Sequence, residues 1–328
     1  MPNVPEPLIF IVILNWNGKK DTLECLASVS MIDYARFEVI VVDNGSTDDS
    51  ARVIRAQFPH ISLIETGKNL GFAEGNNVGI RYGLEKGADA ILLLNNDTVV
   101  DPYLLKGFTK ELSAQPGAAI FGATIYLYGE RDRLDHFGGN WNRKKAAFDF
   151  VGHREKRNEK NSLAIDYVCG AAILLRREVF EQVGLLESRY FLIWEEADLC
   201  FRAKHAGFLS VTCPEAILFH KVSASFTGKK PHTTYYWWRN RLLWVERNCS
   251  FLEKIDVGVR VLLPEIFHLL KLRLLKTLQL PFTYSPEKRL EKRGKLLQYR
   301  AALCGVKDYL LRRFGEGPAW LTTRNADR

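Results

Sequence analysis

Four short apolar runs in the first 95 residues constrain this chain more than any other feature. LIFIVIL (8–14), FEVIVVD (37–43), ISLIE (61–65) and AILLL (90–94) are aliphatic, rich in β-branched residues and of strand length. Amphipathic stretches separate them. Leu23, Leu26 and Val29 stripe the first, and Ala51, Ile54 and Phe58 the second; a Gly-rich segment leads into a third that ends near Gly87. Asp21 is placed to cap the first helix, with Glu24 three residues on as in a capping box. Asp101-Pro102 reads as the N-cap and first residue of a fourth helix, striped by Leu105, Phe108 and Leu112. Strand and helix in strict alternation predict parallel βαβ units: an α/β fold with a mostly parallel central sheet and helices on both faces.

The apolar runs stop on polar residues. Asn15 and Asn17 follow the first, Asp43 closes the second with Asn44 after it, and Asn95, Asn96 and Asp97 follow the fourth. Each alone is explained as an ordinary turn former. Together they fall along the carboxyl edge of a parallel sheet, where open α/β sheets hold ligands.

Beyond residue 125 the pattern changes. DHFGGNWNRKKAAFDFVGHREKRNEKN (135–161) suits a hairpin followed by a flexible loop near Lys156 to Asn161. Order resumes with DYVCGAAILLRREVFEQVGLLE, and YFLIWEEADLCFRAKHAGF gives a helix closed by Gly207. FLSVTC and AILFH read as two more strands, and the chain is helical from about 232. The organisation expected is one α/β domain over 1–245, its halves meeting near 125, and a basic amphipathic helical region over 246–328.

Charge narrows the classes of partner. The chain of 328 residues carries a net charge of +8, a balance compatible with nucleic acid, an anionic membrane surface or a phosphorylated substrate. The excess is concentrated between Glu253 and Arg313, where FHLLKLRLLKTLQL and PEKRLEKRGKLLQYR set Leu among Lys and Arg at helical spacing. Such helices either lie on anionic lipid or present a solvated face while packing on the main domain. Nucleic acid is not expected. The six cysteines are scattered without CxxC spacing, so neither a zinc site nor a disulfide framework is implied, and a reducing compartment is expected. No signal peptide is evident, and no apolar run reaches the roughly 18 to 20 residues that span a bilayer. The expected location is cytoplasmic, either free or peripheral on the inner face of the cytoplasmic membrane.

Several chemistries are excluded by motif. There is no G-x-x-x-x-G-K-[ST] and no G-x-S-x-G, and Gly71, Gly75 and Gly79 are spaced by four rather than as G-x-G-x-x-G. An edge of carboxylates, amides and glycines without a nucleophile suits a nucleoside diphosphate held through a divalent metal. Mg²⁺ or Mn²⁺ in such sites takes only one or two protein carboxylates, so Asp97 suffices if a second ligand arrives from elsewhere. His220, ending AILFH, is the candidate, and imidazole would favour Mn²⁺. WEEADL packs Glu195, Glu196 and Asp198 beside Trp194. Acidic residues commonly open helices because they complement the macrodipole. Residues 195 and 198 share a face, however, and 196 projects about 100° away, so one carboxylate can face a cleft while the others brace. Crowding by like charges and an indole raises a carboxyl pKa toward what a general base needs.

ILNWNG, VVDNGSTDDS, NLGFAEGNNVGI, LLLNNDTVVDP, the CGAAILLRREVF…WEEADLCFRAKHAGF stretch, FHKVSAS and YYWWRNRLLW together resemble, in order, family 2 glycosyltransferases, particularly a bacterial rhamnosyltransferase-like branch. The resemblance covers about residues 8 to 245. It implies a GT-A fold, with a nucleotide-binding half about 1–125 and an acceptor half about 126–245. It implies inverting transfer from a nucleotide sugar. Asp43 would read the pyrimidine edge; Asn15 and Asn17 would lie along the nucleoside, with Asn69, Gly71 and Asn77 lining the pocket. Asn95-Asn96-Asp97 stands in the place of the family's DxD, with Asn95 where that motif has Asp, so Asp97 is the metal ligand. Glu196 occupies the catalytic-base position, as Glu where Asp is common, leaving Glu195 and Asp198 as alternatives. His220 matches a metal-binding His. Arg239-Asn240 match a recurring pair, with an acceptor or phosphate contact expected there and at Trp194.

The expected reaction is a direct displacement on a dTDP- or UDP-sugar, dTDP-L-rhamnose by the resemblance, with Mn²⁺ or Mg²⁺. The acceptor is a hydroxyl of a glycan or lipid-linked glycan in cell-surface polysaccharide synthesis. Two rival readings fit the chain less well. A nucleotidylyltransferase would want a basic Gly-rich loop after the first strand, which NWNGKKD supplies poorly. A non-catalytic nucleotide-sugar-binding relative would tolerate loss of Asp97 or Glu196, and both are present.

Overall fold

The computed structural model describes residues 6–156, 161–221 and 230–321. Part of the loop expected near 156–161 lies outside the described residues. The chain forms two compact units: one takes the described residues within Met1–Asn140, Asp149–Ser188 and Glu195–Val222, the other those within Trp141–Phe148, Arg189–Trp194 and Ser223–Arg328.

The first unit opens β1 (Ile9–Asn15), α1 (Lys19–Val29), β2 (Phe37–Asp43), α2 (Ser50–Gln57), β3 (Ser62–Glu65), α3 (Gly71–Glu85), β4 (Ala90–Asn95). It continues β5 (Thr98–Val100), α4 (Leu104–Ala114), β6 (Ala118–Leu127), β7 (Glu130–Leu134), then, from the predicted hairpin, β8 (Gly138–Asn142) and β9 (Ala147–Val151), whose residues 141–142 and 147–148 fall in the second unit. After β10 (Ala164–Ile165) and β11 (Tyr167–Val168) come β12 (Ala172–Arg176), α5 (Arg177–Val183), α6 (Glu195–His205) and β13 (Leu209–His220).

The main sheet runs β10-β13-β6-β12-β4-β1-β2-β3, with β5 on β13 and β7 on β6. β1 is parallel to β2 and β4, and β2 to β3, as the alternation predicts. Layering follows the pleat. Ile9, Ile11 and Ile13 share a core with Cys25 and Leu26 of α1 and Leu105 and Phe108 of α4. Val12 points the other way: a Cβ at Gly79 of α3 would lie 2.4 Å from its Cγ1. The four-residue glycine spacing is therefore a packing stripe that seats α3 against β1, and helices cover both faces.

The sheet is mixed rather than mostly parallel, because β12 runs against both β4 and β6. The reason is where the chain stands when it enters. β6 delivers it to the carboxyl edge, and among the described residues of 128–171 no crossover helix returns it to the other side, so β12 leaves from that edge. Three local expectations also shift. FLSVTC and AILFH are one strand, β13, whose register slips between Cys213 and Ile217. The bulge accommodates Pro214, which has no N–H for the ladder. α1 starts at Lys19, ahead of Asp21, because Asn15 Oδ1 accepts from Gly18 N and orders the turn before it. α4 starts at Leu104, since Asp101 Oδ1 accepts from Tyr103 N and forms a separate turn first.

The second unit is helical: α7 (Pro231–Asn248), α8 (Phe251–Val257), a π-turn over Gly258–Leu262, α9 (Leu263–Gln279) and α10 (Pro286–Leu310). Ser250 and Ser285 cap α8 and α10 through their hydroxyls. α7 and α10 meet around Tyr235, Tyr236 and Ala301, where a Cβ at Gly305 would lie 2.4 Å from Tyr235 O. Among the described residues no helix is long and apolar enough to cross a membrane.

Candidate active site

The carboxyl edge gathers most of the expected polar residues. Register places Asn15 of β1 opposite Asp43 of β2, and Leu14 opposite Asn95 of β4. Asn15 is fully buried, and its Nδ2 donates to Asp43 Oδ2 (2.8 Å) and Ser46 Oγ (3.0 Å). Its Oδ1 accepts from Thr22 Oγ1 (2.8 Å), which in turn accepts from Asn96 Nδ2 (2.9 Å). Asn17 sits at φ +52° and accepts from Thr47 N through Oδ1 (2.7 Å). Asn44 donates to Asn69 Oδ1 (3.0 Å) and Gly71 O (3.1 Å), which ties the start of α3 beside Asp43. Asn77 is different: Nδ2 donates to Leu186 O (2.9 Å) and Oδ1 accepts from Leu186 N (3.0 Å), so it braces α3 and is not part of this network.

Asp97 lies in the two-residue turn between β4 and β5. β5 pairs with β13 so that Thr98 faces His220, which carries the His to Asp97. His220 Nε2 is 3.2 Å from Asp97 Oδ1, and its Nδ1 is 2.9 Å from Asp135 Oδ2. Burial opposes charge on this imidazole, but its hydrogen bonds to Asp135 and Asp97 outweigh that and hold it up at about 10. Burial likewise opposes charge on Asp135, yet the His220 hydrogen bond and the nearby histidines hold its carboxyl below the usual range. Among the described residues no three metal-ligating side chains converge on one point. The reason is visible in the ring: Asp97 and Asp135 meet opposite nitrogens. A divalent cation there would have to displace the Nε2 proton and would take Asp97 and His220 Nε2 as donors, with Asp135 holding the ring from behind.

The three carboxylates of α6 have separate fates. Asp198 is buried and accepts from Arg202 Nε at 2.8 Å. Glu195 is buried, and burial together with the charge of Glu196 raises its carboxyl well above the ordinary value. Glu196 alone is half-buried; burial raises its carboxyl too, and the charge of His136 pulls partly the other way. One oxygen of each Glu lacks a hydrogen-bond partner among the described residues. Gly170 lies against Glu196: a Cβ there would sit 3.1 Å from Oε1.

Adjacent residues join the two halves of the site. Asp135 holds His220, while its neighbour His136 feels the charge of Glu196. The buried Cys169 thiol feels Asp135, His220 and Glu196 together. Asp135, His136 and Gly170 were not singled out from sequence, although DHFGG opens the polar stretch after β7 with an Asp-His pair.

Trp194, Arg239 and Asn240 belong to the second unit. The turn ahead of α6 holds Phe191, Ile193 and Trp194 at φ between +64° and +83°, a costly region for such side chains. Asn240 Nδ2 donates to the carbonyls of Tyr190 (2.9 Å), Leu192 (2.7 Å) and Ile193 (2.8 Å). Arg239 donates to Tyr190 O (2.8 Å) and Gly315 O (2.6 Å) and stacks on Tyr236. Both are fully buried, and the bonds they make are those of a clamp on the turn rather than of an acceptor or phosphate contact.

Comparison with known proteins bears on the family and the fold. The family model "Glycosyl transferase family 2" matches residues 10–184, more than half of the chain. The chain is 29% identical to the N-acetylglucosaminyl-diphospho-decaprenol L-rhamnosyltransferase of Mycobacterium tuberculosis, over 68% of this chain and 83% of that protein. It is 28% identical to the dTDP-rhamnosyl transferase RfbF of Shigella flexneri, over 73% and 80% respectively. The fold is similar to that of the mannosyltransferase PcManGT from Pyrobaculum calidifontis, solved with GDP-Man and Mn²⁺, with TM-score 0.59 at 14% identity over 94% of this chain and 89% of that one. With a GT-A fold and a family match over more than half its length, the chain belongs to the family 2 glycosyltransferases.

Proposed function

We propose that this nucleotide-sugar-dependent glycosyltransferase is inverting and metal-dependent, takes dTDP-L-rhamnose as donor, and glycosylates a hydroxyl of a glycan or lipid-linked glycan acceptor in cell-surface polysaccharide synthesis. The observation that supports the mechanism is that Asp135 bonds His220, the partner of Asp97, while the adjacent His136 feels the charge of Glu196. The donor rests on the names of the two rhamnosyltransferase relatives.

Asp43 keeps acceptor lone pairs beyond its bonds from Asn15 and Ser46 N, and it reads the pyrimidine edge. Asn15, Asn17, Asn69, Gly71, Asn95 and Asn96 shape the nucleoside wall around it. Asp97 and His220 hold Mn²⁺ or Mg²⁺, which when bound neutralises charge on the departing diphosphate. Asp135 orients His220. Glu196, its carboxyl raised by burial, takes the proton of the acceptor hydroxyl as it attacks from the face opposite the leaving group. A UDP-hexose is the second donor reading, because an acceptor aimed at a pyrimidine edge suits uracil and thymine alike.

Thermal shift with dTDP-, UDP- and GDP-sugars in Mn²⁺ tests the donor: the largest shift is expected with dTDP-L-rhamnose, and a larger one with GDP-sugars would remove the assignment. Full turnover by Asp97→Ala and Glu196→Gln would overturn the site.

A further inference from the structure

α9 has no buried residue. Its partly covered apolar positions, Ile266, Leu269 and Leu272, with Leu280 just past its end, make one face. Leu263, Phe267, Leu270, Leu274 and Leu278 make another on the opposite side, within an arc of about 80° at 3.6 residues per turn. These five are open: Phe267 is 67% exposed and Leu274 61%. Phe251, Leu252, Ile255 and Val259 carry the exposed apolar surface back along α8 and the π-turn, and Phe282 and Tyr284 extend it forward. A helix apolar on both sides ordinarily lies inside a protein or a membrane. This one is too charged to cross a bilayer.

The charge around the outer face identifies what covers it. No Asp or Glu occurs between Glu265 and Glu287, whereas Lys271, Arg273 and Lys276 do. Lys271 lies about 20° beyond one edge of the outer stripe and Arg273 about 60° beyond the other, on the side of Ile266, and both are exposed. Neither forms an ion pair with a described residue. A second copy of the chain would bring the same positive flanks against these. An anionic lipid surface would not: it offers negative headgroups to the flanks and acyl chains to the stripe.

We propose that the outer face of α9, continued by α8, docks this protein on an anionic bilayer, lying in the plane of the headgroups. The docking is independent of the catalytic assignment, because it needs neither donor nor metal. The test is flotation of the full chain with phosphatidylcholine vesicles, with and without phosphatidylglycerol. The chain is expected to float with phosphatidylglycerol vesicles and to be released as salt rises. L270Q/L274Q should weaken flotation roughly tenfold or more, and K271E/R273E should remove the preference for phosphatidylglycerol. Lys271 and Arg273 are exposed charged residues, and Leu270 and Leu274 are exposed too, so melting temperatures should match the parent. Parent-like flotation by both variants, or none by the parent, overturns the proposal. So does a dimer in sedimentation equilibrium that L270Q/L274Q converts to monomer while the parent ignores vesicles. Donor hydrolysis without vesicles, unchanged in both variants, separates failure here from failure of the catalytic reading.

Discussion

Around Asn15 and Asp43 the side chains answer one another. Amides, a carboxylate and hydroxyls from β1, the turn after β2, α1 and the β4–β5 turn form one connected network of hydrogen bonds at 2.8–3.0 Å. At the start of α6 the balance is reversed: two adjacent carboxylates are buried or half-buried, and each keeps an unpartnered oxygen. A satisfied network is rigid and suits recognition of a fixed shape. Unsatisfied carboxylates hold their protons tightly, which suits a base that must let go of water and take a proton from substrate.

The sharpest way to break that contrast is Glu196→Gln. If the open carboxylate is the base, turnover should fall about 10²- to 10⁴-fold while donor binding and melting temperature stay near the parent's. A parent-like rate would move the base elsewhere. Glu195→Gln, at the buried neighbour, should leave most of the turnover intact, and an equal loss in both would erase the distinction between them.

Asn240→Ala probes what holds the turn ahead of α6. The carbonyls of Leu192 and Ile193 would lose their Asn240 donor, Tyr190 O keeping Arg239, and the positive-φ run would lose its clamp, so a loss of about 3 kcal/mol in urea unfolding is expected. A loss below about 0.5 kcal/mol would mean that the turn is held by other means. On the recognition side, Asp135→Asn keeps shape but weakens the grip on His220 Nδ1. Mn²⁺ affinity by titration calorimetry should fall about 10- to 100-fold, and an unchanged affinity would detach Asp135 from the metal position.

How much of this was readable beforehand follows from the range of each interaction. β1, β2 and β4 were legible because strands covered on both faces are continuous apolar runs, and their polar ends marked the binding edge. The direction of β12 was not, since it depends on where 44 residues of intervening chain spend their path, from 128 to 171. Asp135 was hidden for the same reason: its partner is 85 positions away, and one Asp in a polar stretch carries no local mark. The Arg239-Asn240 pair was visible, but its employment was not, because nothing in the pair itself reveals three carbonyls waiting in a strained turn. In α9 the Leu and basic spacing was plain, whereas which of its two apolar faces is free required the packing.

The smallest effect concerns stability against pH, and it turns on Glu195. Its carboxyl is raised in the folded state, first by burial and then by Glu196, while in the unfolded chain it titrates near the ordinary value of about 4.3. The folded state therefore binds this proton more tightly than the unfolded state. That preference contributes stability in full below about pH 4.3, and the contribution is lost as pH rises through the raised folded value. At neutral pH the protein must either keep the proton against the solution or bury a charge, and both lower its stability. Glu195→Gln removes the proton from the balance while keeping the shape. Its melting temperature should exceed the parent's by a few degrees at pH 7 to 8, on the scale of about 1 kcal/mol, and the difference should close as pH falls toward 5. A variant that melts below the parent at every pH would show that Glu195 has a partner, and the contrast between a satisfied edge and an unsatisfied helix start would then shrink to Glu196 alone.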